Sequence, residues 1–230
     1  MAGSHKISIF LLNFREFKLV YKGIFKFRRS KTMSNNSTIT EQDKDILFRK
    51  ARTYNGWLDK DVPDELLKDV FDLLKWGPTS ANCLPMRVKF LKSKESKERL
   101  KPFLMDANVE KTLAAPAVAI LAYDMEFYEH LPKLFPHTDA KSWFVGDAQN
   151  ILETANRNGT LQGGYFILAA RALGLDCGPM SGFDKDAVKD EFFPDDNYVV
   201  NFICNLGYGD ESTIFDRSPR FDFEDVCEIV

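Results

Sequence analysis

No Cys-x-x-Cys pair occurs among the four cysteines, Cys83, Cys177, Cys204 and Cys227. Neither a zinc ribbon nor a redox dithiol is signalled, and free, reduced thiols in a cytoplasmic protein are expected. Only three histidines are present, His5, His130 and His137, with no metal-ligand spacing. The run His137-Thr138-Asp139 reads as a capped surface loop, so no metal is expected. Gly-x-Gly-x-x-Gly and Walker loops are both absent, which removes the usual fingerprints of dinucleotide and P-loop folds. No apolar run approaches the roughly 18 residues that a membrane-spanning helix needs. The net charge of −3 gives no global basic field for nucleic acid. What remains is a chain of 230 residues, 44% hydrophobic and 28% charged, enough for one domain with a sizeable core.

The charge is unevenly spread. Eight of the 31 basic residues but only one of the 34 acids fall in residues 1–32, so this head carries +7 and the rest of the chain −10. A basic, acid-poor, Phe- and Ile-rich leader has the character of a transit or membrane-surface segment. The polar run Met33-Ser34-Asn35-Asn36-Ser37 instead reads like a native start, with the head as an upstream extension. Residues 1–40 are expected to lie outside a domain spanning 41–230.

Within that domain, Thr40 and Asp43 have capping-box spacing, and the pattern predicts a helix running through Tyr54 to a stop at Asn55-Gly56. Arg49 and Arg52 would then share a helix face, an arrangement suited to phosphate. Asp64 is expected to cap a helix that buries Leu66, Leu67, Val70, Phe71, Leu73 and Leu74. A strand is expected at 88–91, then a charged helix at 94–104 and a shorter one at 108–113. The continuous apolar run Ala117–Tyr123 reads as a central strand covered on both faces. Residues 124–143, with Pro132, Pro136 and many aromatics, read as irregular. The longest helix is expected at 158–173, burying Leu161, Tyr165, Leu168, Ala169, Ala172 and Leu173. Gly163 and Gly164 would give close helix–helix approach, and Gly174 would end the helix at C′. A strand at 198–206 and a short acidic helix from Phe223 complete the α+β pattern.

Two small-residue loops stand out. Trp76-Gly77-Pro78-Thr79-Ser80-Ala81-Asn82-Cys83-Leu84-Pro85-Met86-Arg87 joins a helix to a strand. Its prolines fix φ, its short polar side chains bond backbone or ligand, and its small residues admit a flat ligand. Leu175–Asp184 contains Cys177-Gly178-Pro179-Met180-Ser181-Gly182, whose main-chain N–H groups suit a ligand carbonyl or ring nitrogen.

From about Leu47 onward the chain resembles the FMN-dependent nitroreductase family. The resemblance rests on Ala51–Trp57, Lys75–Arg87, Glu126–Glu129 with Leu134–His137, Ala172–Phe183 and Leu206–Asp210, in that order. Within the family it is similar to malonic semialdehyde reductases of pyrimidine utilisation (the RutE type). The resemblance implies a three-layer α/β/α sandwich with a mixed, mainly antiparallel sheet. It also implies a homodimer, with FMN in two clefts between subunits and NADH or NADPH as hydride donor. The substrate would be malonic semialdehyde, reduced to 3-hydroxypropionate, with the hydride transfer centred on the flavin and no catalytic side chain. A broad NAD(P)H nitro- or quinone reductase, and a flavin-binding protein without turnover, are the alternatives.

By resemblance, the cofactor residues are Arg52, Thr53, Asn55, Pro78, Thr79, Ser80, Asn82, Ser181, Gly182 and Arg220. Ala51 and Asn55 stand where the family carries flanking arginines, so the phosphate would lean on Arg220. Leu84 and Met86 depart from the family's Pro-Ser-x-x-Asn-x-Gln-Pro-Trp pattern, which puts general nitroaromatic specificity in doubt. Arg87 and Arg157 are the candidates for the substrate carboxylate.

Overall fold

Residues 38–230 are described by the structure, a computed structural model. The basic head at 1–32 therefore lies outside the described residues. In chain order the regular elements are α1 (Glu41–Lys44), continued by a π-helical turn (Asp45–Arg49), α2 (Asp64–Leu74), β1 (Met86–Leu91), α3 (Lys94–Leu100) and α4 (Asp106–Ala114). Then come β2 (Ala117–Asp124), α5 (Leu131–Leu134), α6 (Ala148–Ala172), β3 (Asp176–Met180), α7 (Lys185–Phe192), β4 (Tyr198–Gly207) and α8 (Phe223–Val226).

The sheet is ordered β1-β2-β4-β3, and all three ladders are antiparallel. The expected mixed character is confined, among the described residues, to one parallel bridge, Thr53 to Cys177. All eight residues of β2 are buried. Ala117, Ala119 and Leu121 face one core with α2 and α6. Val118, Ile120 and Ala122 face the other with α3 and α7. Three layers follow from that alternation, because a strand apolar on both faces must be covered twice. Each large aliphatic side chain so buried contributes roughly 1.5–3 kcal/mol.

Several local expectations are corrected. The capping box is present, with Asp43 N donating to Thr40 Oγ1 (3.1 Å) and Thr40 N donating to Asp43 Oδ2 (2.9 Å). The helix nevertheless stops at Arg49 rather than Asn55. Thr53 is drawn into its bridge with Cys177 and Trp57 into one with Gly209, and an extended backbone is the only way to make both. Arg49 and Arg52 therefore do not share a helix face. Asp64 is the first residue of α2, not its cap, and its carboxylate instead takes Lys92 Nζ at 2.7 Å. In α2, Leu67, Val70 and Leu74 are buried, but Phe71 and Leu73 are exposed.

Helix α6 has 25 residues and begins ten residues earlier than expected, at an N-cap formed by Asp147. Its buried stripe is Thr154, Ala155, Asn158, Gly159, Gln162, Gly163, Phe166, Ala169 and Ala170, whereas Leu161 and Tyr165 face outward. Small residues let the helix lie close on the sheet. A Cβ at Gly159 would sit 2.8 Å from Tyr123 Cβ, and one at Gly163 2.6 Å from the Phe202 ring. The close approach expected of Gly163 is thus to a strand, and Gly164 faces open space. Gly174 ends the segment with φ +81°, as a C′ glycine should.

Gly159→Ala is expected to destabilise the protein by about 1–3 kcal/mol, since the atom it meets is a Cβ fixed to the β2 backbone. Urea unfolding with an unchanged m-value and a lower midpoint is the result to look for.

Candidate functional site

The loop before β1 is held in a strained shape. Ala81, Asn82 and Leu84 have φ of 49°, 51° and 40°, and they are the non-glycine residues at positive φ among the described residues. Left-handed backbone costs about 1–2 kcal/mol per ordinary residue, so outside contacts must hold it. Two amides from α6 do so. Asn158 Oδ1 accepts from Ser80 N (2.8 Å) and Gln162 Oε1 accepts from Met86 N (2.9 Å). Both amide residues are almost fully buried. Thr79 Oγ1 accepts from Leu84 N (3.2 Å), and Asn82 Nδ2 donates to Leu134 O (2.9 Å). Pro78 is exposed and leads into the turn. Burial pushes the Cys83 thiol up to about 11, so it packs as a neutral group rather than serving as a nucleophile. Asn158 and Gln162 were not among the expected site residues, although two amides four apart in a long helix put both on one face.

A second group gathers beside β3. Thr53 bridges Cys177 and carries Arg52 and Asn55 along the sheet edge. Gly178 is needed there, because a Cβ would lie 3.1 Å from Tyr54 O. Arg52 donates to Phe215 O. Arg217 Nη2 donates to Arg49 O (2.8 Å) and Ala51 O (2.9 Å). Lys111 Nζ reaches Asn55 Oδ1 at 3.4 Å, and Arg171 Nη1 donates to Leu47 O at 3.1 Å while its Nε is buried without a partner. No carboxylate among the described residues forms an ion pair with Arg52, Lys111, Arg171 or Arg217. In a domain that is acidic overall, unpaired cations in one neighbourhood suit an anion. Arg49 is different, being paired with Glu41 and Asp45 at 2.7 Å each.

At the far end of β3, Ser181 is exposed and Gly182 half-buried. Neither main-chain N–H makes a hydrogen bond within the described residues. The Gly182 carbonyl accepts from Met105 N (3.0 Å) and Asn108 Nδ2 (2.8 Å), which fixes the peptide. A Cβ on Gly182 would lie 2.6 Å from Asn108 Nδ2. Two N–H donors on a braced turn, flanked by a residue with no side chain, can receive a flat acceptor-rich ring.

Of the remaining expected residues, Arg220 bonds only Ser218 O and Pro219 O (3.0 Å each) and is exposed. Arg217, rather than Arg220, meets the Arg52 segment. Arg87 is paired with Asp124 at 2.6 Å and also donates to Leu84 O and Met86 O. Arg157 stands on the outer side of α6 with Glu153 4.0 Å away.

The two groups lie at opposite edges of the sheet. The Thr79–Asn82 turn precedes β1, and Ser181-Gly182 follows β3. Three strand spacings of about 4.8 Å put roughly 14 Å between those edges.

A family model described as the Nitroreductase family matches residues 49–208. The chain belongs to the nitroreductase family. The nitroreductase match takes in both loops and stops short of Arg217 and Arg220. A protein of Ralstonia nicotianae, provisionally named an NADH dehydrogenase/NAD(P)H nitroreductase, is 55% identical over 186 residues, covering 81% of this chain and 95% of its own. One of Polynucleobacter asymbioticus with the same name is 55% identical over 194 residues, covering 84% and 99%. Among solved structures, a nitroreductase of Exiguobacterium sibiricum in complex with FMN superposes with a TM-score of 0.73 at 20% identity, covering 84% of this chain and 99% of that one. These results make the chain an oxidoreductase of the nitroreductase family with its fold.

Replacing Asn158 or Gln162 by leucine leaves the Ser80 or Met86 N–H without its partner. Each change is expected to cost about 1–3 kcal/mol. Limited proteolysis should show earlier cleavage between Gly77 and Arg87 in both variants.

Proposed function

We propose that this chain acts as a homodimer that holds FMN in two clefts between subunits and reduces malonic semialdehyde to 3-hydroxypropionate with NADH or NADPH. The observation that carries the cofactor reading is the pair of unengaged amides at Ser181 and Gly182, with Arg52, Lys111 and Arg217, which form no ion pair among the described residues, along the same edge strand. An FMN phosphate fits Arg52 and Arg217, with Lys111 and Arg171 adding positive charge, and Thr53 and Asn55 lie in the same segment. When bound, FMN supplies reversible hydride acceptance from reduced nicotinamide and donation to a carbonyl carbon. The Ser181 and Gly182 N–H groups stabilise negative charge on the ring's acceptor atoms without having to reorganise. Pro78, Thr79, Ser80 and Asn82 form the opposing wall, kept rigid by the α6 amides. Arg220, exposed and three residues beyond Arg217, is a further cation for the phosphate.

Support for two subunits comes from the distance between the halves. The Thr79–Asn82 wall and the Ser181-Gly182 amides sit at different sheet edges, so a second copy would bring its own wall against these amides. Exposed apolar residues give such a copy something to cover: Phe71 on α2, Trp76 just after it, Leu161 and Tyr165 on α6, and Phe215, Phe221 and Ile229 in the tail. A groove of about 960 Å³ between α2 and β1, which is an edge strand among the described residues, is lined by Leu67, Phe71, Met86, Val88 and Phe90 and equally by the charged Asp64, Lys68, Asp72, Arg87 and Lys92, and adjoins that surface. It lies away from Ser181 and is read as part of the subunit contact rather than as the reaction cleft.

The departures at Leu84 and Met86 support a substrate other than a general nitroaromatic; Arg87, although paired with Asp124, and Arg157 are the arginines proposed to lie near its carboxylate. The names of the relatives favour the broader reading, an NAD(P)H nitroreductase. Anaerobic titration separates the two. NADH or NADPH is expected to bleach the flavin bands, and malonic semialdehyde to restore them with formation of 3-hydroxypropionate. Steady-state kcat/KM is expected to favour the semialdehyde over nitrofurazone and menadione. A preference of about tenfold or more for the latter pair, roughly 1.4 kcal/mol in the barrier, would replace the semialdehyde reading with the broader one. A flavin that reduced nicotinamide fails to bleach would instead indicate a binding protein.

A further inference from the structure

Beside the strained loop lies a charge cluster built on Asp124, Arg87 and His130. Asp124 ends β2 and is only 4% exposed. Its Oδ2 accepts from Arg87 Nη2 (2.6 Å), and its Oδ1 accepts from Glu126 N (2.7 Å). Its third neighbour is His130, whose Nε2 stands 3.5 Å from Oδ2. The cluster is tied to the loop on both sides, since Arg87 Nη1 donates to Leu84 O (3.1 Å) and Asp124 N to Pro85 O (2.9 Å). The helical turn that carries His130 is fastened there too, through Asn82 and Leu134 O.

Charge counting gives the cluster a direction. Arg87 and Asp124 cancel. The arginine is further occupied by two carbonyls and lies 5.8 Å over the Tyr198 ring. Its charge is therefore largely spent inside the fold. The His130 side chain is 54% exposed, and with Asp124 at Nε2 its Nδ1 is the nitrogen left for another partner. With Asp124 at Nε2, a carboxylate bound at Nδ1 would take its hydrogen bond from the free edge of the ring, and Lys133, without an ion pair among the described residues, adds positive charge on the same segment.

We propose that His130, oriented by Asp124 beside Arg87, selects substrates that bear a carboxylate. Asp124 acts as the positioning residue, and Arg87 holds the Asp124 carboxylate in place. This rests on the reading that the Thr79–Pro85 loop borders the reaction cleft.

The test is calorimetric binding to the FMN-loaded protein, which needs no turnover. Two charged and neutral pairs serve as probes: 3-hydroxypropionate against 1,3-propanediol, and benzoate against benzyl alcohol. The native protein is expected to prefer the carboxylate of each pair by about tenfold, the size of one partly screened charge contact. H130Q, which keeps a donor but removes the charge, is expected to abolish that preference, and H130R to retain it. Because His130 is exposed, neither variant should affect folding, and unchanged thermal unfolding confirms that. Discrimination seen only with benzoate, and lost in H130Q, would sustain this inference while removing the semialdehyde reading. No discrimination in the native protein, or discrimination unchanged in H130Q, would overturn it.

Discussion

A strand apolar on both sides cannot rest until it is covered twice, and β2 is that strand here. Its eight buried residues oblige the chain to lay α2 and α6 on one side and α3 and α7 on the other. The sheet then acts as a rigid spacer. Its outer strands, β1 and β3, carry the two loops whose small residues are suited to a flat ligand. Positions that matter for binding are therefore fixed by the core rather than by the loops themselves.

The loop before β1 shows how stability is spent for shape. Three residues sit in left-handed backbone, and the amides of Asn158 and Gln162 hold the loop from a helix that is itself locked to the sheet by Gly159 and Gly163. A side chain at either glycine would lift the helix, and the loop would lose its clamp. At the other edge, Asn108 and Met105 brace the Gly182 carbonyl, and the Ser181 and Gly182 N–H groups of that turn have no partner among the described residues. In both places main chain is positioned by buried amide side chains from distant parts of the sequence.

How far this was legible in the sequence depends on the range of the contacts. The β2 run was readable because seven consecutive apolar positions, Ala117–Tyr123, admit few other interpretations. Both loops were readable because proline, glycine and short polar residues mark them directly. The buried face of α6 was not, since alanine, glycine and two amides carry little hydrophobic signal while Leu161 and Tyr165, which do, face outward. The helix expected through Tyr54 failed for a different reason: its competitor is a bridge to Cys177, more than a hundred residues away. Arg217 and Lys111 were missed likewise, because nothing near them in the chain points to Arg52 and Asn55. Arg87 was visible as a cation, but its pairing with Asp124 depends on the β1–β2 register, in which Arg87 lies opposite Ala122.

The central claim is that each flavin site is built from the loop before β1 of one chain and the β3 edge of another. Subunit complementation tests it most directly. One variant would lose the loop contacts (Thr79→Ala with Asn82→Ala) and a second the phosphate cations (Arg52→Ala with Arg217→Ala). Each alone should bind little FMN. Refolded together at equal amounts, they should recover about a quarter of the native flavin content, the share expected when chains pair at random and each mixed dimer has one intact site. Mixed dimers that form, by mass, but hold no more flavin than the separate variants would contradict the account.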